Sequence, residues 1–108
     1  MDRELIAGRF ACPDIEAFVI STLDGQVVAT TLSGEPDHAA HLAAALISMG
    51  ERLARDFSVG ALEQVAVVGR DGYVHLIHAG KNAVLASIVK DEEPLKRLQE
   101  HAANIAGR

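Results

Sequence analysis

Between Leu62 and Val89 three apolar runs of strand length are separated only by Arg70-Asp71-Gly72 and Gly80-Lys81-Asn82. Runs so short, joined by turns so tight, leave no room for a crossover, so the chain must double back twice as antiparallel hairpins. The predicted strands are Leu62–Gly69, Tyr73–Ala79 and Ala83–Val89. A third hairpin signal lies upstream. β-Branched and aromatic residues fill Ile15–Thr22, Asp24-Gly25 follows, and Gln26–Leu32 is extended in character again. Asp-Gly between two such runs is the strongest short-range hairpin signature. Five antiparallel strands are therefore expected.

A long helix, about Asp37–Phe57, separates the first hairpin from the meander. Pro36 suits a first helical turn, and Glu35 and Asp37 favour the positive end of the helix dipole. On a helical wheel its apolar residues, among them Leu42, Leu46, Ile47, Met49, Leu53 and Phe57, fill an arc of about 180°. One sheet needs a stripe of only ~100°, so the surplus predicts a second apolar contact along one flank. Asp91-Glu92-Glu93-Pro94 opens a further helix in which Leu95, Leu98, Ala102 and Ile105 recur at helical spacing as far as Gly107. Asp2–Arg9 is a plausible short helix, ended before Pro13.

Strands one, three and five carry apolar residues at both parities, as in Phe18, Val19 and Ile20 or Val84, Leu85 and Ala86. Both sheet faces must then be covered. The expected fold is α+β: an α/β/α sandwich with the long helix on one face and the terminal helices on the other. With 108 residues, the chain forms a single domain over 1–108.

The strand after the long helix hairpins with its successor, so unless another strand inserts beside it, it is a sheet edge. An apolar edge without proline or inward charge templates association. Twofold pairing with the same strand of a second copy would satisfy its backbone groups, and the surplus flank of the helix could pack on its symmetry mate. Residues expected at that interface are Leu62, Gln64, Val65, Ala66, Val67 and Val68 from the strand, with Ala40, Ala44 and Ile47 from the helix. In the competing reading the strand is interior and the extra alanines serve helix propensity alone.

The stretches "AFVISTLDGQVVAT" (17–30), "HAAHLAAALISMGERLARDF" (38–57) and "LEQVAVVGRDGYVHLIHAGKNAVLASIV" (62–89) occur in this order. In that combination the chain resembles the Roadblock/dynein light chain domains, particularly their bacterial MglB-like members. The resemblance implies a five-stranded antiparallel sheet, dimers formed through the strand after the middle helix, and antiparallel packing of the two middle helices. It also implies a role as a platform for small Ras-like GTPases, some members stimulating GTP hydrolysis by repositioning the GTPase's own catalytic groups. The short first helix departs from the family's longer amino-terminal segment.

Composition limits the alternatives. Ten Lys plus Arg against fifteen Asp plus Glu give a net charge of −5, with no basic stripe, which argues against nucleic acid. One cysteine, Cys12, excludes an internal disulfide. No apolar stretch is long enough to enter a membrane, and the chain reads as cytoplasmic, from a bacterium or archaeon. His38 and His41 are three apart at the helix start, a spacing two metal ligands could share, but no third ligand is evident, so neither a metal nor a cofactor is expected. His75 and His78, an odd number apart in one strand, point to opposite faces. Gly80-Lys81 lacks the glycines and helix of a P-loop, and Ser21, Ser48 and Ser87 have no nucleophile-elbow context, so no catalytic residue is expected. Arg52, Arg55 and Arg70 are candidates for contact with an acidic or phosphate-bearing partner; the plainer reading is solvated charge, with Glu51 and Arg55 as an i,i+4 pair.

Overall fold

Each of the three turn signals closes a hairpin. In the first, Gly25 takes φ 91° and donates its N–H to the Thr22 carbonyl at 3.0 Å. The Gly69 N–H reaches the Gly72 carbonyl at 2.8 Å in the second, and the Ala79 N–H reaches the Ala83 carbonyl at 2.8 Å in the third. A computed structural model describes residues 14–106; the short helix expected over Asp2–Arg9, with Cys12 and Pro13, lies outside the described residues.

The elements are β1 (Ala17–Thr22), β2 (Val27–Thr30), α1 (Pro36–Asp56), β3 (Val65–Val68), β4 (Tyr73–His78), β5 (Ala83–Val89) and α2 (Glu92–Ala106). The five strands form one antiparallel sheet in the order β2-β1-β5-β4-β3. β1 joins hairpin to meander by pairing with β5 from Ala17 opposite Ile88 to Thr22 opposite Ala83. This leaves β2 and β3 at the two edges.

Alternation along the strands makes two cores. Leu76, Val84 and Ala86 face α1 and meet Ala43 and Ile47. Phe18, Ile20, Ile77 and Leu85 face the other way and cluster with Ala102 of α2. The two layers of helix are thus the ones the double-parity strands demanded, with α1 lying chiefly on β1 and β5 and α2 on β4 and β5. Alanines at 40, 43 and 44 are buried, which lets the α1 backbone approach the sheet closely.

α1 begins at Pro36 and ends in a Schellman motif. Ser58 adopts φ 57°, its N–H bonds the Arg55 carbonyl at 3.0 Å, and the Val59 N–H bonds the Ala54 carbonyl at 3.0 Å. β3 is shorter than the predicted Leu62–Gly69. Leu62 and Gln64 turn to partners inside the protein rather than joining the ladder, and Gly69 belongs to the turn.

Candidate interaction surface

β3 is an edge strand, with no other strand inserted beside it, and its four residues are Val65, Ala66, Val67 and Val68. The bond from Gly69 to Gly72 sets the alternation of the β3–β4 ladder: Val67 and Val65 exchange bonds with β4, while the N–H and C=O of Ala66 and Val68 point outward. Val68 is 72% exposed, Val67 41%, and Ala66 is exposed as well. No proline or charge interrupts the strand.

The flank of α1 beside this edge is equally bare. Leu42, Met49, Leu53 and Phe57 each expose more than half their surface. Two apolar hollows lie between that flank and β3. One, of about 290 Å³, is lined by Leu42, Leu46, Val67, Val74 and Ile88 among others. The second, of about 450 Å³, runs past Leu46, Met49, Leu53, Leu62 and Val65. Leu46 lines both, so they form one strip. Gly50 makes the approach possible: a Cβ there would stand 3.1 Å from Leu62 and 3.2 Å from Val65.

Four residues expected at an intermolecular surface are placed elsewhere. Ala40, Ala44 and Ile47 are buried within the protein at 0–6% exposure, because they lie on the sheet-facing side of α1, where the alanines let the helix approach and Ile47 joins the core with Leu76 and Val84. Gln64 turns inward. Its Oε1 accepts from His75 Nε2 at 2.7 Å, and its Nε2 donates to the Gln99 carbonyl of α2 at 3.3 Å. Leu62 is half-buried against the α1 core, leaving Val65 to Val68 as the expected residues that remain at the edge. The flank that stands free, Leu42 to Phe57, is the part of the wheel's surplus arc the sheet does not use.

His41, His75 and His78 serve structure. His75 and His78 do face opposite sides: His75 is buried on the α2 side with its pKa lowered by burial, and His78 Nε2 meets Glu51 Oε1 of α1 at 2.6 Å. Glu51, expected beside Arg55, is thus engaged with β4. His41 stacks on the first hairpin, where a Cβ on Gly25 would stand 2.6 Å from its ring, and its Nδ1 lies 2.7 Å from the Asp37 carbonyl. His38 is exposed, and among the described residues no three His, Cys, Asp or Glu side chains gather as a metal site. Ser87 lies opposite His75 across β4 and β5, but both are buried in the core, closed to a substrate.

Arg52 and Arg55 are exposed in the last turns of α1, and Arg70 is exposed in the turn after β3. Arg55 lines an open groove of about 640 Å³ with Glu51, Ser58 and His78. No described helix is long and apolar enough to cross a membrane.

Residues 1–88 match the Roadblock/LC7 domain. The chain belongs to the Roadblock/LC7 family. Among solved structures this Roadblock/LC7 chain is similar to the Roadblock/LC7 domain from Streptomyces avermitilis, at 28% identity and TM-score 0.67, over 74% of this chain and 69% of that one. It shares the fold of Myxococcus xanthus MglB, at 14% identity and TM-score 0.69, over 83% of this chain and 78% of that one. The gliding protein MglB of Thermus thermophilus is alike to the same degree, at 18% identity and TM-score 0.69, over 83% and 71% of the two chains. No curated protein matches the chain.

Proposed function

We propose that this Roadblock/LC7 protein is a non-enzymatic homodimeric regulator or scaffold for a small Ras-like GTPase. The observation that carries the dimer is the unprotected edge of β3 beside the bare flank of α1. Exposed valines are unfavourable in water, and the outward N–H and C=O groups beside them are a ready template for pairing with another strand. Twofold pairing along that edge makes one ten-stranded sheet and covers the flank. Family membership and the fold shared with MglB support the GTPase partner and a regulatory rather than a catalytic role. Arg52 and Arg55, exposed in the last turns of α1, and Arg70, exposed in the turn after β3, are cations available to an acidic partner.

Two measurements test the reading. Ala66→Pro removes an outward N–H while sparing the bonds that Val65 and Val67 make to β4, so it should yield a folded monomer by light scattering. Ala66→Pro that stays dimeric refutes pairing along β3. The wild-type protein mixed with a small Ras-like GTPase from the same genome should form a complex and either raise GTP turnover or leave it unchanged as a scaffold; no complex with any such GTPase refutes the partner.

A further inference from the structure

The groove that Arg55 lines lies on the side of α1 away from the apolar strip. Glu51 and Arg55 each stand two positions from Leu53, about 160° round the helix from it, so covering the strip leaves the groove open. Spacing offers Glu51 to Arg55 as an i,i+4 partner, but the carboxylate is turned away: its Oε1 lies 2.6 Å from His78 Nε2 of β4. That contact needs only a proton on Nε2, which the neutral ring supplies as well as the charged one. Among the described residues no carboxylate pairs with the Arg55 guanidinium.

The rest of the 640 Å³ groove is walled by Ser58, Gly60, Ala61 and Leu62, which bring one hydroxyl and otherwise apolar surface. A Cβ on Gly60 would meet nothing within 4 Å, so this wall does not close the mouth. A helix end repels anions through its last carbonyls, but the Ala54 and Arg55 carbonyls are taken up by the N–H groups of Val59 and Ser58. One guanidinium matches one carboxylate in a bidentate pair. A phosphate dianion would meet that single cation beside Glu51, in a chain of net charge −5.

We propose that the groove receives an acidic side chain with an apolar neighbour from a protein partner, the carboxylate on Arg55 and the apolar group on Ala61 and Leu62, while His78 keeps Arg55 available by holding Glu51. The partner is the small GTPase of the reading above, on which this inference rests.

Two probes test it. Acetyl-Glu-Leu-amide at millimolar concentration should shift the NMR amide signals of Ser58, Gly60 and Ala61 in the isotope-labelled protein, and acetyl-Gln-Leu-amide or inorganic phosphate should not. Arg55→Gln should abolish those shifts and weaken the complex with the GTPase about tenfold, the loss of a charged bidentate pair. Arg52→Gln and Arg70→Gln, outside the groove, should change it by about twofold or less. Glu51→Gln should strengthen binding more in a His78→Phe protein, where the carboxylate is released to Arg55, than in wild type, where it is already held away. A GTPase complex that Arg55→Gln leaves intact overturns the groove and leaves the GTPase reading standing. If no GTPase binds, that reading fails by itself and the dipeptides decide the groove: shifts with the Glu peptide alone uphold it, and shifts with phosphate, with both peptides or with neither overturn it. Equal gains from Glu51→Gln in the two backgrounds overturn the part assigned to His78.

Discussion

The two edges of the sheet are built from similar residues and finished in opposite ways. β2, Val27–Thr30, is tied to β1 by side chains at its carboxyl end. Thr30 Oγ1 donates to the Phe18 carbonyl at 2.8 Å, the Phe18 N–H reaches Thr31 Oγ1 at 3.0 Å, and all four strand residues are half-buried. The register with β1 shifts between Ile20 and Ser21, a local irregularity of the kind that spoils an edge for pairing. β3 has none of these devices. β2 thus presents a short, irregular edge with half-buried side chains, whereas β3 presents a regular ladder of exposed residues beside an apolar helix flank.

The largest effect comes from breaking the closed edge at its tip. Gly25 holds φ 91°, and a Cβ there would lie 2.6 Å from the His41 ring and 3.1 Å from its Cα. Gly25→Ala thus combines left-handed strain with a clash against helix backbone, and should cost about 3 kcal/mol in urea melts. Association through β3 should persist, because the lesion lies at the far side of the sheet. A variant as stable as wild type would show that the hairpin tip is free to move off α1.

The open edge is held from behind, and the next effect tests that support. His75 is buried, its Nε2–H donates to Gln64 Oε1, and Gln64 in turn donates to α2 just ahead of β3. Gln64→Ala leaves a buried donor unpaired and should cost about 2 kcal/mol, with a loss of dimer larger than that of a surface alanine change. The same histidine gives a pH signature. Burial lowers its pKa in the folded protein, so folding favours the neutral ring. Its contribution is complete above the unfolded value of 6.5 and falls away as the pH drops below that value, where the unfolded chain takes up the proton first. Stability measured at pH 5 should be lower than at pH 7.5, and His75→Gln should flatten part of that slope. A slope unchanged by the substitution would move the effect to other groups.

Much of this contrast was legible in the sequence and part of it was not. Turn chemistry located three hairpins, and a hairpin partner on one side of the strand after α1 made it an edge only on condition that no other strand inserted on its free side, which the sheet order meets. The surplus arc of α1 announced a second surface. Which residues fill that surface depended on how the arc is divided, and the apolar pattern does not say where the division falls. Ala40, Ala44 and Ile47 went to the sheet while Leu42, Met49 and Leu53 stayed outside, and because Ile47 and the leucines are equal in size, volume alone does not sort them. Gln64 is expected at the interface because it falls within the predicted strand, and only the tertiary position of buried His75 reveals its inward use. The tight contact of Gly50 with Leu62 and Val65 had no signal beyond a glycine inside a helix, a position that costs ~1 kcal/mol against alanine and so asks for a packing reason.

The smallest effect lies at the approach to β3. Ser58 holds φ 57°, a left-handed position that a side chain pays strain to occupy and that glycine fills freely. Its N–H is bonded to the Arg55 carbonyl and its neighbour Val59 to Ala54, so the backbone geometry is already that of a glycine-terminated helix. Ser58→Gly should therefore raise stability by about 1 kcal/mol, the relief of strain exceeding the extra freedom gained by the unfolded chain. Because the change fixes the end of α1 without touching the strip or the edge, dimer affinity should stay within about twofold when both proteins are fully folded. An affinity that rises with stability would mean instead that β3 is only partly ordered in the wild-type monomer, and that the open edge is finished by the partner it recruits.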